Sequence, residues 1–354
     1  MTTAMRAFHD ARSAAHDPDR YFRRGAIVAH PEQASRYAVL RDAIAGHHRL
    51  EAPADHGEAP ILAVHDAGYI RFLAEAWSRR AEIPGSIDEV LSGHFARPDM
   101  SRRPEGLLGL VGYYTADTST PVRAGTWEAV RAGAQVAASA ADAALADGRA
   151  YALCRPPGHH AYAASAGGFC FINNSAVAAQ RLRETQARVA ILDIDVHHGN
   201  GTQGIFYTRG DILTVSVHAD PADYFPYYAG YADETGAGAG AGCNRNLPLA
   251  HGSGDDAWLA ALAEALDGIA RFAPGALVVA LGLDASQDDP IGALRVTTDG
   301  FARAAEAIAG AGLPTTIVQE GGYLCEALPR NLSAFLDAFD AAAGATALRA
   351  PSRP

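Results

Sequence analysis

From about residue 125 onward the apolar positions fall into two alternating patterns. Short, nearly all-apolar runs at Ala150–Cys154, Val189–Asp195, Ile212–His218, Ala276–Leu283 and Thr315–Gln319 predict strands buried on both faces. Longer, Ala-rich stretches at Trp127–Asp147, Asn174–Gln186, Asp255–Phe272 and Asp299–Ala311 predict the helices between them. Strands alternating with helices of this length indicate βαβ units and a parallel sheet covered on both sides. No linker-like change of composition interrupts the chain, so residues 1–354 are read as one α/β domain.

Two stretches break the pattern. Residues 80–112 hold Pro84, Gly85, Pro98 and Pro104 with Arg97, Arg102 and Arg103, and read as a long excursion. Residues 219–246 are rich in Tyr, Gly and Ala, with Tyr224, Phe225, Tyr227, Tyr228 and Tyr231 ahead of a Gly/Ala run at Gly236–Gly242. Long irregular segments in a compact domain commonly form rims or partner contacts, although the Gly/Ala run also fits simple loop padding.

Composition narrows the function. The 29 basic and 40 acidic side chains leave a formal charge of −11, which argues against nucleic-acid and anionic-membrane partners. Every basic residue is arginine, which excludes Schiff-base lysine chemistry and a P-loop lysine. The four cysteines (Cys154, Cys170, Cys243, Cys325) are scattered, so neither a disulfide framework nor a thiolate zinc site is expected. Met1–Arg24 contains no hydrophobic signal core, and no apolar run approaches the roughly 18 residues of a membrane span. A soluble, cytoplasmic protein is the expectation.

The polar residues of interest cluster just past the predicted strands, at the sheet edge where α/β proteins bind ligands. Asp193, Asp195 and His197 alternate, so strand geometry would aim all three side chains one way. Asp284 ends another apolar run. Asp195, His197 and Asp284 together make a three-ligand site with room for water, the donor set of a catalytic Zn²⁺ site, with Fe²⁺ or Co²⁺ as alternatives. After the Ala150–Cys154 run, the stiff turn Arg155-Pro156-Pro157-Gly158 presents His159 and His160, candidates for general acid–base work. Asp193 and Asn200 are the candidate partners of their ring N–H groups. Gly321-Gly322 precedes Tyr323, a phenol able to donate to a developing oxyanion or simply to pack.

With these segments in view, the chain resembles the arginase/deacetylase superfamily on its histone deacetylase branch. The motifs are RPPGHH at 155–160, GGFCFINN at 167–174, LDIDVHHGNGTQ at 192–203, LGLDASQDDP at 281–290 and EGGY at 320–323. GTWEA at 125–129 and GYADETGAGAG at 230–240 are most similar to the bacterial acetylpolyamine amidohydrolases. The resemblance implies a single open three-layer α/β domain with an eight-stranded, mostly parallel sheet, and hydrolysis of an N-acetyl or other N-acyl amide by metal-activated water. It implies Asp195, His197 and Asp284 as metal ligands, His160 as general base and acid, His159 as the neighbouring stabilising imidazole, and Tyr323 as the carbonyl-polarising phenol. Asp193 would partner His159 and Asn200 would partner His160. A structural K⁺ near Asp193, Asp195, His197, Ser216 and Val217 is implied as well, along with a channel walled by Phe169, Phe225, Gly168 and Ile291. The two-metal arginase pattern fits less well, because Gly199 stands where it needs a further Asp.

The resemblance also frames the substrate. Leu108 and Ser119 fall where polyamine-type relatives carry glutamates, while Glu105 and Asp117 lie nearby. Arg97, Arg102 and Arg103 in the excursion would repel a polycation. An acetylpolyamine therefore competes with a less cationic or xenobiotic amide, with protein acetyl-lysine, and with a non-catalytic binding role. A homodimer through the 80–112 excursion, narrowing the channel for slim ligands, is the expected assembly.

Overall fold

The computed structural model describes residues 4–85, 88–97, 99–100 and 102–349. In chain order its strands are β1 (Arg6–Phe8), β2 (Arg20–Arg23), β3 (Ala26–Ala29), β4 (Arg49–Glu51), β5 (Arg149–Ala152), β6 (Val189–Asp193), β7 (Ile212–Ala219), β8 (Asn244–Leu249), β9 (Ala276–Leu281) and β10 (Thr315–Gln319). Eight of them form one sheet in the order β4-β1-β5-β10-β9-β6-β7-β8. Every pairing in that sheet is parallel. Strands β2 and β3 form a separate antiparallel hairpin.

The five apolar runs become the contiguous centre of the sheet, β5-β10-β9-β6-β7. Their side chains alternate between two cores. Val189, Ile191, Ala276 and Val278 face one, with the helix Thr126–Asp147 packed on it. Ala190, Leu192, Leu277 and Val279 face the other, under Trp258, Phe301 and Phe335 from the helices Asp255–Phe272, Thr298–Ala309 and Ala327–Arg349. Burial on both faces is why these strands read as unbroken apolar runs. The Ala-rich helix 126–147 lacks bulk along its buried face, which allows close approach to the sheet. Asn173 caps the helix Asn174–Arg183 by accepting from the Ala176 N–H at 2.9 Å.

Three sheet strands escaped the pattern. β1 and β4 are only three residues each and carry Arg6, Arg49 and Glu51, while β8 lies at the opposite edge within the stretch read as irregular. Strand β6 also stops at Asp193, two residues early. Asp193 Oδ1 accepts the Asp195 N–H at 3.0 Å and Asp195 Oδ1 accepts the His197 N–H at 2.9 Å. These side-chain bonds replace ladder pairing, so a turn, not strand alternation, directs Asp195 and His197. The excursion includes a helical turn at Arg80–Glu82 and the start of the helix Leu107–Tyr114, and Pro98 lies outside the described residues. Among the described residues no helix is long and apolar enough to cross a membrane.

A buried charge cluster fastens the N-terminal segment beneath the sheet edge. Glu32 accepts from Arg36 Nη1 at 2.7 Å and from Arg155 Nη2 at 2.9 Å, and all three residues are buried. Three further guanidinium donors reach carbonyls: Arg155 Nη1 to Ser13 at 2.6 Å, Arg36 Nε to Gly322 at 2.6 Å and Arg36 Nη2 to Glu320 at 2.9 Å. Removing the single carboxylate would leave two guanidinium groups in a dry site. Glu32→Gln is expected to lower unfolding stability by roughly 3–5 kcal/mol in urea melts, whereas Glu82→Gln, which breaks the exposed pair with Arg79, should leave the melt nearly unchanged.

Candidate active site at the C-terminal edge of the sheet

Parallel strands bring their C-terminal ends to one edge. Register pairs Asp193 with Ala280 and Gln319 with Leu281, which sets the ends of β6, β9 and β10 side by side. The turn after β6 carries Asp195 and His197, the segment after β9 carries Asp284, and Gly321–Tyr323 follow β10.

One ligand atom each from Asp195, His197 and Asp284 lies within 4.8 Å of the others, and all three residues are buried. His197 Nδ1 is 3.1 Å from Asp195 Oδ1 and 3.3 Å from Asp284 Oδ2. Backbone N–H groups hold the carboxylates in place: Gly321 N donates to Asp195 Oδ2 at 2.9 Å and Val196 N to Asp284 Oδ1 at 3.1 Å. Asp284 Oδ2 is left buried without a hydrogen-bond donor. A Cβ at Gly321 would stand 2.1 Å from Asp284 Oδ2 and 2.5 Å from Asp195 Oδ2, so only glycine leaves this point clear. An orphaned anionic oxygen, a second carboxylate and an imidazole nitrogen around a cleared point fit a divalent cation with mixed O/N ligands.

The protonation pattern agrees. Burial and the Asp195 charge push the Asp284 carboxyl up. Burial would also raise Asp195, but His159 and His197 outweigh it and hold that carboxyl below its usual range. For His197, burial is overcome by its hydrogen bond to Asp195 and the nearby charge of Asp284, which raise it to about 9. The carboxylates thus stabilise positive charge at this point.

The two adjacent imidazoles differ in environment. His159 Nδ1 lies 2.9 Å from Asp193 Oδ2, and His160 Nδ1 lies 2.7 Å from Asn200 Oδ1. Burial alone would depress both rings. Asp195 and Asp193 nevertheless lift His159 to about 10, whereas His160, facing the charges of His159 and His197 with a neutral amide partner, falls well below the usual imidazole range. The turn that carries them is held by Glu320, which accepts from Gly158 N at 2.6 Å, His159 N at 3.1 Å and Ser175 Oγ at 2.7 Å.

His160, His197 and Tyr323 open onto a cavity of about 240 Å³ whose walls include Phe169, Phe225, Gly168 and Ile291. Phe225 meets His160 edge-on at 4.8 Å, and Phe169 meets Tyr323 edge-on at 6.0 Å. Gly168 has φ +54°, and a Cβ there would approach His160 Cδ2 to 2.5 Å and Phe225 Cε1 to 2.8 Å. The residues expected around potassium are buried together: Asp193 pairs with Ser216 across β6 and β7, next to Val217. Ser216 Oγ is engaged with His218 Nδ1 at 2.8 Å.

The excursion arginines are not where a cationic substrate would meet them. Arg97 pairs with Asp99 at 3.3 Å and Arg103 donates to the Tyr114 hydroxyl at 2.8 Å. Neither they nor Arg102 lines the cavity, and nor do Leu108 or Glu105. Asp117 and Ser119 do line it. Residues not anticipated there are Tyr21, Arg23 and Arg24 from the β2–β3 hairpin, and Tyr224. Tyr224 stacks on His197 with centroids 4.8 Å apart and planes 10° from parallel, and its hydroxyl donates to the Ile291 carbonyl. The aromatic cluster around Tyr224 was visible in the sequence but does not signal a cavity without its neighbours, and Arg23 and Arg24 were not singled out, because an Arg-Arg-Gly triplet carries no local mark of a binding site.

Comparison with known proteins agrees with this geometry. The family model of the histone deacetylase domain matches residues 30–339. The chain is 49% identical over 298 residues to acetylpolyamine amidohydrolase 1 of Pseudomonas aeruginosa, covering 82% of this chain and 86% of that one. It is 47% identical over 345 residues to the acetylpolyamine amidohydrolase of Burkholderia pseudomallei, covering 95% of this chain and 99% of that one. A crystal structure of acetylpolyamine aminohydrolase from Burkholderia pseudomallei superposes with a TM-score of 0.92 at 46% identity, covering 96% of this chain and 99% of that one.

A cation that binds only the folded state must stabilise it. With Zn²⁺ at about 100 times its dissociation constant, unfolding should become about 2.7 kcal/mol more costly. Asp284→Asn should abolish that shift in thermal melts, since it removes one ligand charge. An unchanged shift in the variant would place the ion elsewhere.

Proposed function

The chain belongs to the histone deacetylase family, and on that premise we propose that it is a metal-dependent hydrolase of small N-acyl amides. The arginase/deacetylase fold, shared with the Burkholderia structure, accords with this activity. The observation that carries the reading is the meeting of Asp195 and Asp284 with His197, which opens onto the cavity that His160 and Tyr323 also line.

Asp195, His197 and Asp284 would hold the ion, with Zn²⁺ first and Fe²⁺ or Co²⁺ as alternatives. Such an ion supplies Lewis acidity to an amide carbonyl and makes water more acidic. The chain's own groups do the rest. With Asn200 Oδ1 as acceptor, His160 carries its proton on Nδ1, so Nε2 offers a lone pair that can take a proton from attacking water. The same nitrogen returns the proton to the departing amine. Tyr323 donates its phenolic hydrogen to the oxygen on which negative charge develops. His159, tied to Asp193, supplies an imidazolium that stabilises the same charge. Phe169 and Phe225 exclude water from the acyl group and confine it to a slim channel.

Relatives at 45–49% identity are named for acetylpolyamines, and that class is the first reading of the substrate. A less cationic amide is the second, favoured by Arg23 and Arg24 at the cavity and by Ser119 in place of an expected carboxylate. The proposal includes a structural K⁺ among Asp193, Asp195, His197, Ser216 and Val217, supported by the Asp193–Ser216 pairing of β6 and β7 and the burial of all five residues. It includes one catalytic domain spanning the chain. A homodimer through the 80–112 excursion is supported by the exposed apolar side chains of Met100 and Leu108 in that segment.

The test is release of acetate or a reporter amine from N-acetyl substrates, with and without a chelator. His160→Ala and Tyr323→Phe should each lower kcat by on the order of 10²-fold or more while keeping the Zn²⁺-induced thermal shift. Near-normal turnover in either variant with metal bound would refute the assigned roles. No turnover by the wild type on any N-acyl amide, with the thermal shift intact, would favour a binding module.

A further inference from the structure

The charge at the mouth of the cavity is the opposite of the charge of the whole chain. Its lining includes two guanidinium groups, Arg23 and Arg24, and outside the proposed catalytic residues only one carboxylate, Asp117. That carboxylate is already committed. Its Oδ1 accepts from Ser119 N at 2.8 Å, Ser119 Oγ at 2.6 Å and Thr120 Oγ1 at 3.3 Å, and its Oδ2 accepts from Gly168 N at 2.8 Å. Asp117 therefore fixes the loop behind the channel wall and has little capacity left for a substrate ammonium.

The two arginines are in the reverse situation. Neither is within salt-bridge distance of a carboxylate among the described residues, whereas Arg6, Arg12, Arg36, Arg41, Arg79, Arg123, Arg181 and Arg209 all are. They occupy the end of the β2–β3 hairpin. Arg24 and Gly25 make its two-residue turn, with φ +49° and +85°. A turn with both residues left-handed favours Asn-Gly, so arginine is not the residue that backbone geometry would select at 24. Arg23, at the last paired position of β2, also lines the neighbouring cavity beside Tyr323 and Ile291. The hairpin thus presents two planar, multidentate donors of the kind that bind carboxylates, neither with a carboxylate partner among the described residues and Arg23 leaning on the neighbouring Tyr21 hydroxyl.

Resting on the deacetylase reading above and on its less cationic substrate alternative, in place of an acetylpolyamine, we propose that Arg23 and Arg24 form an anion subsite, so that the preferred substrate is a small N-acyl amide whose amine portion ends in a carboxylate: an N-acylated amino acid. Hydrolysis breaks the amide C–N bond. The hydroxyl of water goes to the acyl carbon and its proton to nitrogen, giving a carboxylic acid and an amino acid with a free amine; the acid's proton then passes to that amine, leaving a carboxylate and a zwitterionic amino acid. The amino-acid carboxylate stays at the mouth with the guanidinium groups while the acyl group lies at the catalytic end. An ammonium in the same place would face two positive charges with no free carboxylate to offset them.

The experiment compares kcat/KM of the zinc-loaded full chain on N-acetyl-ε-aminocaproate, N-pentylacetamide and N-acetylcadaverine, which match in length and differ in terminal charge. The expected order is anion, then neutral, then cation, with roughly tenfold or more between the extremes and a narrower spread at high salt. The preference should lie mainly in KM. The double variant R23Q/R24Q should cut the ratio of carboxylate to neutral substrate by roughly tenfold, and R23E should move the preference toward N-acetylcadaverine. Hydrolysis of all three substrates without charge preference, a preference for N-acetylcadaverine in the wild type, or a ratio unmoved by R23Q/R24Q would each overturn the subsite and leave the deacetylase reading standing. No hydrolysis of any of the three would overturn the deacetylase reading, and the subsite with it.

Discussion

The arrangement depends on negative charge buried without enough protein donors to satisfy it. Asp195 and Asp284 are fully enclosed, their backbone donors are shared out, and one oxygen of Asp284 has none. Desolvating a carboxylate costs several kcal/mol unless an opposite charge or good hydrogen bonds offset it. The fold spends well-formed structure on keeping this site open, since Gly321 is the only residue type that would not fill it. A cation of the kind proposed would complete such a cluster, and His197, stacked on Tyr224 with planes 10° from parallel, stands beside it as the third donor.

The buried cluster of Glu32, Arg36 and Arg155 carries this constraint outward. Arg36 binds the carbonyls of Glu320 and Gly322 and lies 4.8 Å over the ring of Tyr323. Glu320 in turn holds the backbone that positions His159 and His160. Segments following β3, β5 and β10 therefore share one set of charges and hydrogen bonds. The phenol and the imidazoles occupy definite places because of contacts far from the cavity itself, a support that loops on a sheet edge need if their side chains are to stay aligned.

Charge works on two scales in this molecule. The formal charge of −11 sets a diffuse field that salt weakens within about 10 Å. Two guanidinium groups at a narrow opening act at contact distance and are screened far less. Where the two differ in sign, the local arrangement governs which ligand end is accepted. Composition alone points toward cationic ligands, and the mouth points away from them.

The legible parts of this chain were those in which chemistry and spacing are local. Central strands announced themselves because burial on both faces demands unbroken apolar runs, and the Arg155–His160 and Asp193–Asn200 segments because their polar groups crowd a short length of chain. Strands β1, β4 and β8 left little trace: β4 and β8 lie at the sheet's edges and β1 beside β4, and their polar or charged side chains break the apolar run, so their stability comes from a neighbour already in place. The turn at Asp193 overrode strand alternation through side-chain hydrogen bonds, although the direction of the three side chains survived. Residue spacing could supply the donors, then, but not their meeting. Asp284 and Gly321 reach Asp195 because β9 lies between β6 and β10, and the Arg23–Arg24 turn reaches the cavity because β2 and β3 fold as a hairpin beside it. Those juxtapositions join residues far apart along the chain, and packing of the whole sheet, not any local pattern, selects them.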